Sequence, residues 1–415
     1  MQNNNTSFDI SLNLNVRGMP VSATLFINEL SNKLKQEGKK IYRLGLGQSP
    51  FPVPKIIVEE LRSNAFQKDY QQVKGLLPLR EAVADYHSRR NDLQCSAEDV
   101  LIGPGSKELM FLLQFVYYGE ILIPTPSWVS YAPQAKIIGR QIVWIDKKEI
   151  HRWRLLPDDL HRICKSDPSR PRLVILNYPS NPTGAYPTRE YLQRLHDFAK
   201  AHDLWIVSDE VYGSLYYGER PASAAAFDGA KDRTLLVNSL SKSYAMTGWR
   251  VGFLAAPKQV IDNALKAGQN SITCVAPFIQ KAAAFALTDP EIQQVTANMR
   301  AAYARRRELV LRLSREFESE KVLVTPPQGA FYFFLDFRPL KMSSLEICEK
   351  ILDEAGVGLI PGSAFGAQGE GFVRMTIAAS DEDVEGGFRK IIAWAEKQQI
   401  TGAARQDSSW QAALS

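Results

Sequence analysis

The sequence predicts an α/β fold in which a mostly parallel sheet of seven strands is flanked by helices. Short apolar runs recur between residues 98 and 255, for example LVIL at 173–176 and LWIV at 204–207. Helical patterns separate several of these runs, including those at 107–118 and 189–202. Strands buried on both faces have continuous apolar sequences, so the alternation indicates a parallel sheet with helices on both sides.

The pattern changes after Pro290 and predicts a second, smaller α+β domain. A long charged helical segment covers residues 291–317, strands follow at 331–335 and 373–377, and a last helix covers 381–397. We assign residues 1–55 to an N-terminal arm and part of the small domain. Residues 56–300 then form the large domain, 301–400 form the rest of the small domain, and 401–415 form a flexible tail.

Composition excludes several classes of function. The 415 residues carry a net charge of +5 that is not concentrated in one basic segment, so we expect no nucleic-acid partner. The longest apolar stretch, residues 110–118, is shorter than the roughly 18–20 residues of a membrane helix, so we expect no membrane span. The polar start lacks a signal-peptide pattern, which favours a cytoplasmic location. Four widely spaced cysteines without a CxxC pair indicate reduced thiols and no metal site.

The most informative segment is SLSKSYAMTGWRVG, residues 239–252. It follows an apolar strand, so Lys242 is expected just beyond a carboxyl end, where parallel sheets bind ligands. An amine in that place can form an imine with an aldehyde. The hydroxyl of Ser239 and the guanidinium of Arg250 could hold a phosphate group. A solvated lysine in a surface loop is the competing interpretation for Lys242 alone.

Three further motifs precede this segment in the chain: GPGSK at 103–107, NYPSNPTG at 177–184 and SDEVY at 208–212. A glycine turn before a helix exposes backbone N–H groups that bind anions. Taken alone, NPTG is an ordinary turn sequence, and an aspartate after a strand is more often a helix N-cap. The order and spacing of the motifs together favour a common site.

These motifs, in this order, resemble those of class I/II, fold-type I pyridoxal-phosphate-dependent aminotransferases, and in particular the aspartate aminotransferase-like members. The resemblance runs from about residue 24 to residue 395. It implies a large domain with a seven-stranded sheet and a smaller α+β domain built from the N- and C-terminal segments. It also implies the cofactor pyridoxal 5'-phosphate, held by Lys242 as a Schiff base, with Lys242 as the catalytic proton carrier.

The resemblance assigns the remaining cofactor contacts residue by residue. Asp209 would pair with the pyridine nitrogen and keep it protonated, which makes the ring an electron sink. Asn181 and Tyr212 would contact the phenolic oxygen, and Trp128 would stack on the ring. The phosphate would be held by Gly105, Ser106, Lys107, Ser239, Arg250 and Tyr70, the last contributed by the neighbouring subunit of a homodimer.

Substrate recognition is implied by two other segments. Arg374 in FVRMTIA would bind the α-carboxylate of amino and keto acids, with Gly47 approaching the same group and with Trp128 and Asn181 nearby. The family often has an acidic residue at the position of Gln48, so side-chain selection at this loop stays open. No arginine occurs between Arg250 and Arg300, where animal-type aspartate aminotransferases have a second one. Either another group binds a distal carboxylate or the preferred amino acid is not acidic.

The function predicted from this resemblance is a ping-pong amino-group transfer between an α-amino acid and an α-keto acid, possibly of the aspartate/glutamate type. A lyase of the carbon–sulfur type is the alternative, because the same anchoring residues serve both reactions. A cofactor-binding transcription regulator is disfavoured, since the roughly 40 residues before the substrate loop, which covers residues 44–54, leave no room for a DNA-binding domain. Neither HExxH nor GxSxG occurs, so metallohydrolase and serine-hydrolase functions are not indicated.

Overall fold

The computed structural model describes residues 12–19, 23–91 and 93–399. The predicted tail at 401–415 lies outside these residues. Within them, twelve strands form, numbered in chain order: β1 Tyr42–Arg43, β2 Val100–Gly103, β3 Glu120–Thr125, β4 Ile142–Asp146, β5 Arg172–Asn177, β6 Leu204–Asp209, β7 Thr234–Ser239, β8 Gly252–Ala255, β9 Tyr332–Asp336, β10 Val357–Gly358, β11 Ile360–Pro361 and β12 Phe372–Thr376.

The described residues also form fourteen α-helices: α1 Leu14–Arg17, α2 Ala23–Gln36, α3 Lys55–Asn64, α4 Leu77–Asn91, α5 Ser106–Val116, α6 Tyr131–Ile137, α7 Pro157–Ser166, α8 Arg189–Ala201, α9 Leu240–Ser243, α10 Lys258–Gln269, α11 Pro277–Thr288, α12 Pro290–Phe317, α13 Ser344–Lys350 and α14 Asp381–Lys397. In this part of the chain, no helix has both the length and the apolar character that crossing a bilayer requires.

The predicted seven-stranded sheet is confirmed. Its strand order is β2-β8-β7-β6-β5-β3-β4, and every strand is parallel to the others except β8, which runs antiparallel to both neighbours. Strands β3, β5 and β7 are buried along their whole length. Separate clusters of buried side chains cover the two faces of the sheet, one around α5 and α10 and the other around α7 and α8. This double covering is the reason for the continuous apolar runs in the sequence.

The smaller sheet has the antiparallel order β11-β12-β9. The N-terminal strand β1 pairs in parallel with β10, so Tyr42 lies opposite Val357. Leu44, which follows β1, is fully buried in the same core as β9 and β12. The N-terminal segment therefore packs with the C-terminal part of the chain.

The register of the strands at the carboxyl edge of the large sheet determines which loops meet. Asn177 at the end of β5 lies opposite Asp209 at the end of β6. On the other side of β7, Gly252 lies opposite both Ser239 and Gly103, which joins the start of β8 to the ends of β7 and β2. The loops that follow these strands are thus brought to one edge of the large sheet, although they are far apart in sequence.

Candidate active site

Asn177, Asn181 and Asp209 form a hydrogen-bonded group at this edge of the sheet. The side-chain amide of Asn177 donates to the backbone oxygen of Asp209 at 3.1 Å. Its carbonyl oxygen accepts the backbone N–H of Asn181 at 2.8 Å. Asn177 therefore ties the NPTG turn to β6 and sets the position of Asn181 relative to the Asp209 carboxylate.

The carboxylate of Asp209 is buried and accepts a hydrogen bond from the Tyr131 hydroxyl at 2.5 Å. Burial raises the pKa of Asp209 to about 6, while hydrogen bonds from Tyr131 and from the Val211 N–H, and the charge of Lys242, act in the opposite direction. A cation placed beside this carboxylate would remove the cost of its burial. Asp209 is thus suited to hold a protonated ring nitrogen.

Lys242 lies in α9, directly after β7, and its amine donates to the backbone oxygen of Gly47 at 2.5 Å. Burial lowers the pKa of Lys242 to about 8, and the nearby positive charges of Arg374 and Arg250 act in the same direction. The amine is therefore neutral in a substantial fraction of molecules at mildly alkaline pH. A neutral amine can attack a carbonyl carbon or accept a proton.

Arg374 on β12 is 4% exposed and makes no ion pair with any described residue. Its guanidinium donates to the side-chain oxygen of Asn181 and to the backbone oxygen of Gly45, both at 2.8 Å. Its Nε atom is buried without a hydrogen-bond partner among the described residues. A buried cation held only by neutral groups is well placed to bind a carboxylate.

Four of the six residues predicted to hold the phosphate meet at the start of α5: Gly105, Ser106, Lys107 and Arg250. Helix α5 begins at Ser106 after Gly105, which has a φ of 89° and provides no side-chain cap for the first N–H groups. Arg250 donates to the Pro104 oxygen at 3.1 Å, and a Cβ atom at Gly105 would collide with its guanidinium. The Ser239 hydroxyl accepts the Ser241 N–H at 3.4 Å at the start of α9. Uncapped N–H groups facing an arginine form an anion site.

The Trp128 ring contacts Tyr131 edge to face, with ring centroids 5.2 Å apart. The ammonium of Lys107 lies 5.2 Å from the centroid of the same ring. Trp128 is therefore connected to Asp209 through Tyr131, and to the anion site through Lys107. A planar ligand bound between these groups would meet the indole on one side and the carboxylate at its edge.

Two predicted residues have other environments. Tyr70 is 87% exposed and takes no part in this site within a single chain. Tyr212 is buried, and its hydroxyl lies 2.9 Å from the Tyr332 hydroxyl. Neither Tyr131 nor Tyr332 has a role that is predicted from the sequence. Tyr131 lies in the PTPSWVSY segment that contains Trp128, but an aromatic residue at the start of a helix is usually part of the core.

The position of Lys242 predicts an unusual pH dependence for its reaction with amine-directed reagents. In protein prepared without cofactor, we expect acylation of Lys242 to rise through half its maximal rate near pH 8, because burial lowers its pKa to about 8. Peptide mass spectrometry over a pH series measures the rate. Lys258, whose pKa is raised by its hydrogen bond to Asp262, is the internal control and should need a higher pH. Equal profiles for the two lysines would contradict the prediction.

The Tyr131 hydroxyl should control the protonation of Asp209. We expect Tyr131→Phe to raise the pKa of Asp209 above its present value of about 6, because the hydrogen bond that stabilises the charged carboxylate is lost. Carbon-13 NMR of labelled aspartate in cofactor-free protein reports this pKa. Tyr303→Phe is the matched control, since the Tyr303 hydroxyl bonds to Ser49 instead. An unchanged or lower pKa in Tyr131→Phe would show that the hydrogen bond has no such effect.

Comparison with known proteins gives a consistent result. The family model for aminotransferase class I and II matches residues 39–391. The aromatic-amino-acid aminotransferase 2 of Thermococcus litoralis is 39% identical over 360 residues, covering 85% of this chain and 91% of the relative. The aspartate aminotransferase of Pyrococcus abyssi is 36% identical over 370 residues, covering 88% and 94%.

A solved structure of the aspartate aminotransferase from Thermus thermophilus with maleate aligns with a TM-score of 0.86. It shares 31% sequence identity, and the alignment covers 92% of this chain and 99% of that one. The family and the fold thus agree with the resemblance found in the sequence. The chain belongs to the class I and II aminotransferase family and is a pyridoxal-phosphate-dependent transaminase.

Proposed function

We propose that the residues at the carboxyl edge of the large sheet are the active site of this transaminase, with Arg374 as the receptor for the substrate α-carboxylate. The buried Arg374 guanidinium, unpaired among the described residues and close enough to Lys242 to lower its pKa, is the observation that carries the proposal. A carboxylate bound there would neutralise a buried charge. It would also place an α-amino acid next to the lysine.

The residues present fit pyridoxal 5'-phosphate. The turn at Gly105, the N–H groups of Ser106 and Lys107, and the Arg250 guanidinium offer an anion site for the phosphate. Ser239 adds a hydroxyl at the same edge. On the opposite side of the site, Asp209 would hold the ring nitrogen, while Asn181 and Tyr212 would contact the phenolic oxygen and Trp128 the ring face.

Bound there, the cofactor supplies an aldehyde for the substrate amine and a ring that accepts the electron pair of the Cα–H bond. The chain's own residues perform the remaining tasks. Asp209 keeps a proton on the ring nitrogen by its negative charge. The neutral Nζ of Lys242 would take the proton from the substrate Cα and deliver it to the carbon that the cofactor's aldehyde supplies. Arg374 orients the carboxylate throughout.

The side chain of the substrate is the open part of the proposal. We place acidic amino acids of the aspartate/glutamate type first, with Lys107 as the cation for a distal carboxylate. Its ammonium lies above Trp128 and makes no ion pair with any described residue. Lys107 would thus serve in place of the second arginine that the chain lacks. Aromatic amino acids are the second candidate, favoured by the name of the Thermococcus litoralis relative.

We also propose that the enzyme is a cytoplasmic homodimer with shared sites. Tyr70 lies within the segment that connects α3 to α4 and is 87% exposed, and an aromatic side chain so exposed suits a contact with a second subunit. In this arrangement Tyr70 reaches the phosphate of the partner's cofactor. Each active site then depends on both chains.

Amino-donor screening of the holoenzyme with 2-oxoglutarate tests the reaction and the donor. We expect keto-acid formation from aspartate, and none from the Lys242→Ala variant. Lys107→Gln should lower kcat/KM for aspartate about tenfold or more while changing it little for phenylalanine, since only the acidic donor loses a charged hydrogen bond. Release of ammonia and pyruvate without a keto-acid acceptor would instead indicate a lyase. A preference for aromatic donors that Lys107→Gln leaves unchanged would refute the acidic assignment.

Mixed dimers test whether Tyr70 acts across the interface. We expect heterodimers of Lys242→Ala and Tyr70→Ala chains to regain about half of the wild-type activity, because one of the two sites would then contain both intact residues. Differently tagged chains allow the heterodimer to be purified, and each homodimeric variant provides the background. If Tyr70 served its own subunit, neither site would be intact and activity would stay at the level of the variants.

A further inference from the structure

Tyr212 and Tyr332 form a pair of buried hydroxyl groups near Arg374 and Gly47. Tyr212 follows β6 by three residues and is 3% exposed, whereas Tyr332 begins β9 and is 1% exposed. Their hydroxyl oxygens are 2.9 Å apart, which is a hydrogen bond in which either oxygen could be the donor. The pair joins the large sheet to the small one directly at the site.

The surroundings of Tyr332 favour one direction for this hydrogen bond, with the Tyr332 hydroxyl as the donor. A Cβ atom at Gly47 would lie 2.6 Å from the Tyr332 hydroxyl, so the backbone of the substrate loop closes that side. The ring packs under the Arg374 guanidinium at 4.4 Å. Among the described residues, Tyr212 is the hydrogen-bond partner found for the Tyr332 hydroxyl. If Tyr332 did not donate to Tyr212, its buried proton would be unsatisfied.

Both hydroxyls stay protonated over the working pH range. Burial raises the pKa of Tyr212 well above its ordinary value and also raises the pKa of Tyr332. The charged groups that face the pair are Arg374, which lowers both pKa values, and Asp209, which raises that of Tyr212. The charge of Lys242 lowers the pKa of Asp209. Tyr332 in turn raises the pKa of Tyr303 on α12. Both groups are therefore available as neutral hydroxyls that can donate one hydrogen bond and accept another.

We propose that Tyr332 is a positioning residue that donates a hydrogen bond to the Tyr212 oxygen. The Tyr212 hydroxyl hydrogen is then directed to the phenolic oxygen of the cofactor. The inference rests on the proposed contact between Tyr212 and that oxygen. If Tyr212 instead donated to Tyr332, its proton could not reach the cofactor. A hydroxyl that accepts one hydrogen bond also becomes a stronger donor in the next.

The two successive hydrogen bonds, from Tyr332 to Tyr212 and from Tyr212 to the cofactor, are called the relay here. The relay changes a property of the bound cofactor that can be measured without turnover. The phenolic oxygen lies beside the nitrogen that joins Lys242 to the cofactor in this proposal. A stronger hydrogen bond to the oxygen reduces its negative charge and weakens its hold on the proton of that nitrogen. The pH at which the visible absorption of the bound cofactor changes is therefore a readout of the relay, independent of activity.

The test is a double-mutant cycle on the holoenzyme, read by this spectral pKa. We expect Tyr212→Phe to raise it by about one unit, the value of one net hydrogen bond. Tyr332→Phe should raise it by about 0.3 unit, since loss of one bond in a chain weakens the next by roughly 10–30%. The double variant should match Tyr212→Phe. Tyr217→Phe is the control, because the Tyr217 hydroxyl donates to the Ala330 oxygen and not to Tyr212.

A second pair of measurements separates positioning from general damage. Phenylalanine keeps the ring under Arg374, so Tyr332→Phe should bind maleate, a carboxylate without an amino group, as wild type does. Fluorotyrosine at position 332 keeps the hydroxyl but makes it a stronger donor, so it should lower the spectral pKa. Opposite shifts from these two changes cannot come from loss of folding.

Each outcome supports or overturns the inference. A normal spectral pKa in Tyr332→Phe, or additive effects in the double variant, would show that Tyr332 acts independently of Tyr212. A shift in the Tyr217→Phe control as large as that in Tyr332→Phe would indicate a nonspecific effect and also overturn it. If Tyr212→Phe itself causes no shift, the proposed contact of Tyr212 with the cofactor fails, and the inference fails with it.

Discussion

The guanidinium of Arg374 holds three distant parts of the chain in one site. It lies on β12, donates to Gly45 in the N-terminal segment and to Asn181 after β5, and packs on Tyr332. A buried charge without a carboxylate partner among the described residues is costly, and neutral acceptors offset only part of that cost. The arrangement persists because the small core around β9 and β12 encloses it. In the proposed function, the substrate carboxylate is the partner that completes it.

The protonation state of Lys242 depends on its burial and on the positive charges near it. Burial and the charges of Arg374 and Arg250 together lower the pKa of its amine, whereas burial raises that of the Asp209 carboxyl. Burial thus disfavours the charged form of both groups. Tyr131 limits the shift of Asp209 by donating to its carboxylate. The pKa of Asp209 therefore depends on side chains from the large sheet's part of the chain, and that of Lys242 depends also on Arg374 from the small sheet.

The contacts missing from the sequence analysis are all long-range contacts between side chains. Tyr131 meets Asp209 across 78 positions and Tyr332 meets Tyr212 across 120. In the sequence, both tyrosines belong to patterns that a hydrophobic core explains fully, and nothing local separates a core aromatic residue from one whose hydroxyl bonds to a catalytic group. By contrast, Lys242, Asp209 and the Gly105 turn are each adjacent to a strand end, and that placement can be recognised locally.

The layered α/β architecture, and the edge of the sheet at which we place the active site, could both be predicted from the sequence. Both follow from short-range rules, because a doubly covered strand must be apolar throughout and parallel strands bind ligands at their carboxyl ends. By contrast, the contacts of Gly45 with Arg374 and of Gly47 with Lys242 are found only in the folded chain. Those contacts depend on β1 pairing with β10, and such pairing is set by the packing of a shared core and not by any local pattern.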